Sequence, residues 1–212
     1  MIEPHAYDSV ADALEECADN YRVNLWKDMD CLVQVWLEKD ALSGVVDQVT
    51  LAYGEPLMVA RGYSSLSFLY EQAQELDSET RPVFVYLLGD HDPSGVNAHE
   101  SIEATLRDMA PDVEFTFKRI AVTPAQITKW KLPTRPTKEN DSRASAWGDV
   151  PSVELDAISP KRLRKLVEDA INEHMTADHR DGLRESEVAD RETIRQLAME
   201  ADGGYEPPTT DL

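Results

Sequence analysis

The apolar positions fall into two alternating periods along most of the chain. Residues 31–37, 57–60, 83–88 and 113–121 have the length and composition of strands. The run Val83 to Leu88 is unbroken, as in a strand buried on both faces, whereas Val113, Phe115 and Phe117 alternate with Glu114, Thr116 and Lys118. Between these runs the period becomes helical: residues 40–49, then Leu66, Leu69, Tyr70, Ala73 and Leu76, then Val96, Ile102, Leu106 and Met109 within 96–109. Thr123 caps a short helix through Trp130, with Pro124 at its first position. Ser159-Pro160 opens another through about residue 175, with Leu163, Leu166, Val167, Ala170 and Ile171 inward. This alternation predicts an α/β fold around a mainly parallel central sheet of about four strands, with helices on both faces.

The ends of the chain follow a different pattern. An amphipathic helix over 5–22 is expected, with Val10, Leu14, Cys17 and Tyr21 on one stripe. Residues 180–201 predict an acidic helix whose thin stripe is Leu183, Val188, Ile194 and Leu197, before a loose tail at 203–212. The expected organisation is therefore a helical lead-in over 1–30, an α/β domain over 31–176, and an acidic helix with its tail over 177–212. Trp26 and Trp36 are expected in the core.

The chemistry concentrates where strands end. Asp90 and Asp92 follow Val83–Leu88 after Gly89, and Glu38 follows 31–37 directly. In a parallel sheet both strand ends reach the same edge, the one at which open α/β folds bind ligands. Close carboxylates are costly unless a cation shares them, and a hard divalent ion such as Mg²⁺ prefers such oxygens. An EF-hand loop fits poorly, because a strand precedes the acids, Pro93 takes the fourth position and Ser101 the twelfth. Asp90 and Asp92 are candidate ligands; Glu38 is a candidate ligand or general acid/base. His91, between the two aspartates, is expected to point away from them.

The order Glu38-Lys39, Arg61-Gly62-Tyr63 and Asp90-His91-Asp92-Pro93-Ser94-Gly95 resembles the Toprim domain. It resembles more particularly the Toprim part of the topoisomerase VI A subunit and its bacterial and phage relatives. Leu132-Pro133-Thr134-Arg135-Pro136 and Lys138-Glu139-Asn140-Asp141-Ser142-Arg143 are similar to further patterns of those relatives. The resemblance spans about residues 20–175, a reasonable length for one domain. It implies a Toprim, Rossmann-like fold with a C-terminal helical extension, and catalytic and metal-binding roles for Glu38, Asp90 and Asp92. The ion would be Mg²⁺, or Mn²⁺. Lys39, Arg61, Lys138 and Arg143 are the candidate contacts to substrate phosphate.

Charge narrows the partners. The net charge is −20, which argues against generic DNA coating. Residues 118–165, however, hold eleven Lys/Arg against five Asp/Glu, a local excess suited to a polyanion. Relatives that break and rejoin DNA carry a tyrosine on a winged-helix domain. Residues 1–30 are too few for one, and Tyr7, Tyr21, Tyr63, Tyr70 and Tyr86 lie in no recognisable nucleophile context. Water is then the expected nucleophile, and the expected activity is metal-dependent cleavage of nucleic acid, DNA rather than RNA. Two alternatives stand beside it: a topoisomerase VI A-like subunit that needs a partner chain, and a metal-holding binding module without catalysis. Self-association is a further expectation. No apolar run spans a membrane and no signal-peptide pattern is present, so a cytoplasmic setting is expected. Cys17 and Cys31, without metal spacing, are expected to be idle or buried thiols there.

Overall fold

The computed structural model describes residues 6–60, 65–136, 147 and 150–202. The chain divides into two compact units, Trp26–Thr176 and the pair of segments Met1–Leu25 and Ala177–Leu212. The larger unit is an α/β fold of the Rossmann-like kind. Its strands are β1 (Leu32–Leu37), β2 (Leu57–Val59), β3 (Val83–Leu88) and β4 (Phe115–Ala121). All pair in parallel, in the order β2-β1-β3-β4. β1 and β3 are central and in step from Leu32↔Val83 to Leu37↔Leu88, which aligns their carboxyl ends.

Side-chain alternation assigns each residue to a face. Trp36, Val83, Val85, Leu87, Phe115 and Phe117 share one core with Leu69, Ala73 and Leu76 of α3 (Leu66–Ser78) and with Ile102 and Leu106 of α4 (Pro93–Met109). Trp36 is fully buried there and meets Phe68 and Phe117 edge-on. Each buried Val, Leu, Ile or Phe of this core contributes roughly 1.5–3 kcal/mol. On the opposite face, Phe84 and Tyr86 contact His174, just past α6 (Pro160–Asn172). The Tyr53 hydroxyl there donates to Asn172 Oδ1 at 2.8 Å, tying α6 to the end of α2 (Ser43–Ala52).

The turn after β3 differs from the sequence reading in one respect. Pro93 and Gly95 do not precede the helix; they lie in its first turn. Asp92 is the N-cap, its Oδ1 accepting from the Gly95 amide at 2.7 Å. Proline is tolerated there because the first amides of a helix have no partner within it. β4 begins at Phe115 and is irregular opposite Leu87 and Leu88. α5 (Pro124–Trp130) starts with a capping box between Thr123 and Gln126.

In the smaller unit, α1 (Val10–Asn20) packs with α7 (Ala177–Asp202). The lead-in and the acidic helix, expected as separate segments, thus form one unit, and the larger one starts at Trp26. Their faces also differ from the expected stripes. Val10 and Cys17 are exposed on α1 while Ala18 is buried; Val188 and Leu197 are exposed on α7 while Glu187 and Ala198 are buried. Polar pairing is the reason. Glu187 accepts from the Val23 amide, Arg184 and Arg191, and Asp190 accepts from the Tyr21 hydroxyl, so the buried seam carries charge that hydropathy alone places outside. No helix among the described residues is long and apolar enough to cross a membrane.

Candidate functional site

Glu38 follows β1 and stays in its ladder, its amide donating to Leu88 O at 2.9 Å. Its side chain is in phase with Trp36 and therefore on the α4 side of the sheet. Gly89 continues β3 through hydrogen bonds with Ala121 and Val122 of the neighbouring strand end. The next amide, that of Asp90, donates to Glu38 Oε2 at 3.1 Å. Two parallel strands thus bring Glu38 against the backbone of the Asp90 turn. A Cβ on Gly89 would collide with Glu38 Oε2, so the absence of a side chain at residue 89 makes room for the carboxylate.

Asp90 turns the other way, its Oδ1 accepting from the Leu155 amide at 2.7 Å. This fastens the acidic turn to a single 3-10 turn over Leu155–Ala157. His91 reinforces the attachment with a two-bond bridge to Val153, and its ring lies against Trp147, 5.1 Å between centroids. It therefore packs as a structural residue. Each of the three carboxylates commits one oxygen to a backbone amide, and the other takes no hydrogen bond among the described residues.

Burial raises the Glu38 pKa; the Asp90 amide and Arg119 oppose the rise, and the negative charges of Asp90 and Asp92 add to it. Burial likewise raises that of Asp90, against the Leu155 amide and Lys39. Arg119, near the end of β4, is a half-buried cation at this edge. It donates to the carbonyl of Asp90, while its Nε and Nη1 are buried without hydrogen-bond partners among the described residues. Burial pulls its pKa down, and the three carboxylates push it up. His99 of α4 is stacked on Phe117, and burial lowers its pKa, with Arg119 adding to the effect. Glu38, Gly95, Ala98 and His99 line one recess between the sheet and α4.

The candidate phosphate contacts divide. Lys39 adjoins the site, but its ammonium is ion-paired with Asp156 at 2.6 Å and lies 3.7 Å from Glu154. Arg61, Lys138 and Arg143 lie outside the described residues. Arg119 escaped the sequence reading, although it leaves a signal there: it falls in the apolar phase of an alternating strand, after Phe115 and Phe117. Glu154 and Asp156 alternate with apolar residues and could by sequence face either the site or water; the hydrogen bond from the Leu155 amide to Asp90 is what holds their turn at this edge.

As arranged, no three acidic, histidine or cysteine side chains among the described residues form an ion-binding group. The donor chemistry nonetheless suits a hard divalent ion: three carboxylates at one edge, each with an oxygen outside the hydrogen-bond network. No protein-family model and no curated protein matches the chain.

Proposed function

We propose that this edge is the centre of a metal-dependent, Toprim-like nuclease that hydrolyses phosphodiester bonds in nucleic acid, DNA foremost. The observation that carries the proposal is the meeting of Glu38 with the Asp90 turn from two parallel strands, beside a half-buried arginine with two donors unpartnered among the described residues. A structural ion needs carboxylates, but it has no use for a cation with idle N–H groups beside them. A phosphate uses both. Support also comes from the resemblance of Glu38-Lys39 and Asp90-His91-Asp92-Pro93-Ser94-Gly95 to the Toprim pattern.

In this reading Asp90 and Asp92 would hold Mg²⁺ or Mn²⁺, with Glu38 as a third ligand or as the general acid/base, and the ion would supply charge stabilisation at the phosphate and acidify an attacking water. The chain's own residues then divide the remaining work. As general acid/base rather than ligand, Glu38 is placed by the Asp90 amide, and burial raises its pKa while no ion is bound. The unpartnered Arg119 donors offer hydrogen bonds to a phosphoryl oxygen. Asp92 keeps one oxygen on the Gly95 amide, which fixes the direction of the other. Lys39 reaches a phosphate only by exchanging Asp156 for it. The setting is cytoplasmic, where Cys17 and Cys31 remain thiols.

The test is incubation of the purified protein with supercoiled plasmid and Mg²⁺ or Mn²⁺, beside the Glu38→Ala variant. Wild type is expected to convert the plasmid to nicked or linear forms and to stop with EDTA. The variant should be slower by about 10²-fold or more. Equal cutting by both proteins would contradict the assignment.

A further inference from the structure

Away from the carboxylates, a second feature is built from residues of opposite charge. The end of α5 and the first turns of α6 flank a solvent-open cavity of about 560 Å³, whose lining includes Lys129, Trp130, Lys161, Arg162 and Lys165 with one acid, Asp169. That volume lies within the roughly 300–1,000 Å³ of ordinary ligand pockets. All four cations are exposed, and the Trp130 ring is half-buried. The Arg162 guanidinium lies 5.1 Å from the Trp130 ring centroid, so the two planar groups form one wall. Lys165 is paired with Asp169 at 2.8 Å. Lys129, Lys161 and Arg162 have no carboxylate partner among the described residues. Their concentration in a chain of net charge −20 is a focused positive field in an otherwise repulsive surface.

We propose that this cavity binds one stretch of single-stranded nucleic acid, with phosphates on Lys129, Lys161 and Lys165 and a base stacked against the Trp130–Arg162 wall. Aromatic and guanidinium planes beside separate ammonium groups are the means by which proteins hold single strands without reading sequence. An acidic peptide would use the cations but not the ring. A duplex would hide its base faces from it. The location is consistent: Leu155, whose amide holds Asp90, precedes Ser159 of the cavity by a single turn of chain, and α5 begins directly after the strand end that pairs with Gly89. The inference rests on the nuclease reading only for where the strand leads, since binding to the cavity requires neither metal nor cleavage.

The experiment is fluorescence anisotropy of labelled oligo(dT) with the full chain in EDTA, over a series of salt concentrations, against a duplex of equal length. Oligo(dT) should bind more tightly than the duplex. The triple variant Lys129→Gln/Lys161→Gln/Lys165→Gln should weaken binding by at least about tenfold and reduce the salt slope by about 2, near 0.7 per lost contact. Trp130→Leu should weaken it about tenfold with the slope unchanged. Wild-type affinity in the triple variant would overturn the proposal. So would tighter duplex binding with an indifferent Trp130→Leu, which is the behaviour of a plain basic patch. Either failure with metal-dependent, Glu38-dependent plasmid cleavage intact would remove the cavity and leave the nuclease. Binding as expected without cleavage would do the opposite.

Discussion

Glu55→Gln should make the protein more stable at neutral pH than wild type, by about 3 kcal/mol at pH 7. Glu55 lies between α2 and β2 at 5% exposure, and burial drives its pKa to about 8, with only the field of Arg81 opposing. Arg81 is occupied elsewhere: it is paired with Glu79 and donates to the carbonyls of Trp26 and Met29. The folded protein therefore keeps a proton on Glu55 that the unfolded chain has released. A raised carboxyl pKa gives stability that is full below the unfolded value of 4.5 and declines as pH rises to about 8. The decline is roughly 1.4 kcal/mol per pH unit across that window. Glutamine keeps the neutral shape and does not titrate. Urea denaturation of both proteins at several pH values from 5 to 8 should show curves that diverge as pH rises. Parallel curves would mean that Glu55 is not held protonated.

Two glycine substitutions should separate fold from site. A Cβ on Gly95 would lie 2.6 Å from the Asp90 carbonyl oxygen, a backbone atom that cannot move without dislodging the turn. Overpacking of this kind costs about 1–3 kcal/mol, and alanine recovers at most about 1 kcal/mol through helix propensity. Gly95→Ala should therefore lower thermal stability and activity together. A Cβ on Gly89 meets the far end of the Glu38 side chain, which can swing aside. Gly89→Ala should then leave the melting temperature within a few degrees of wild type while cleavage falls on the order of 10²-fold, the usual effect of a catalytic group displaced by about an ångström. Equal activity in Gly89→Ala and wild type would show that the position of Glu38 does not matter.

The fold was legible because apolar runs and helical stripes alternate without interruption, and that alternation permits little besides a parallel sheet. The placement of Glu38, Asp90 and Asp92 at one sheet edge was legible for the same reason: once the strands are placed, their ends are placed. What escaped the sequence depends on contacts between distant segments. Lys39 has the look of a phosphate ligand until the 155–157 turn brings Asp156 to it. Arg119 is one of two adjacent basic residues, and only the phase of β4 distinguishes it from exposed Lys118. The buried face of α7 was missed because Glu187, with three donors converging on it, takes the place that hydropathy gives to Val188.

Mn²⁺ titration by calorimetry, above the raised pKa values of Glu38 and Asp90, tests most directly whether this acidic edge is a metal centre. The variant for comparison is Asp90→Asn/Asp92→Asn. Asparagine caps helices as well as aspartate, so α4 keeps its start while the charge is lost. Wild type should show a tight binding phase that weakens by more than about 10²-fold in the double variant and fades as pH falls and the carboxylates protonate. An unchanged tight phase in the double variant would contradict the assignment of these residues as ligands.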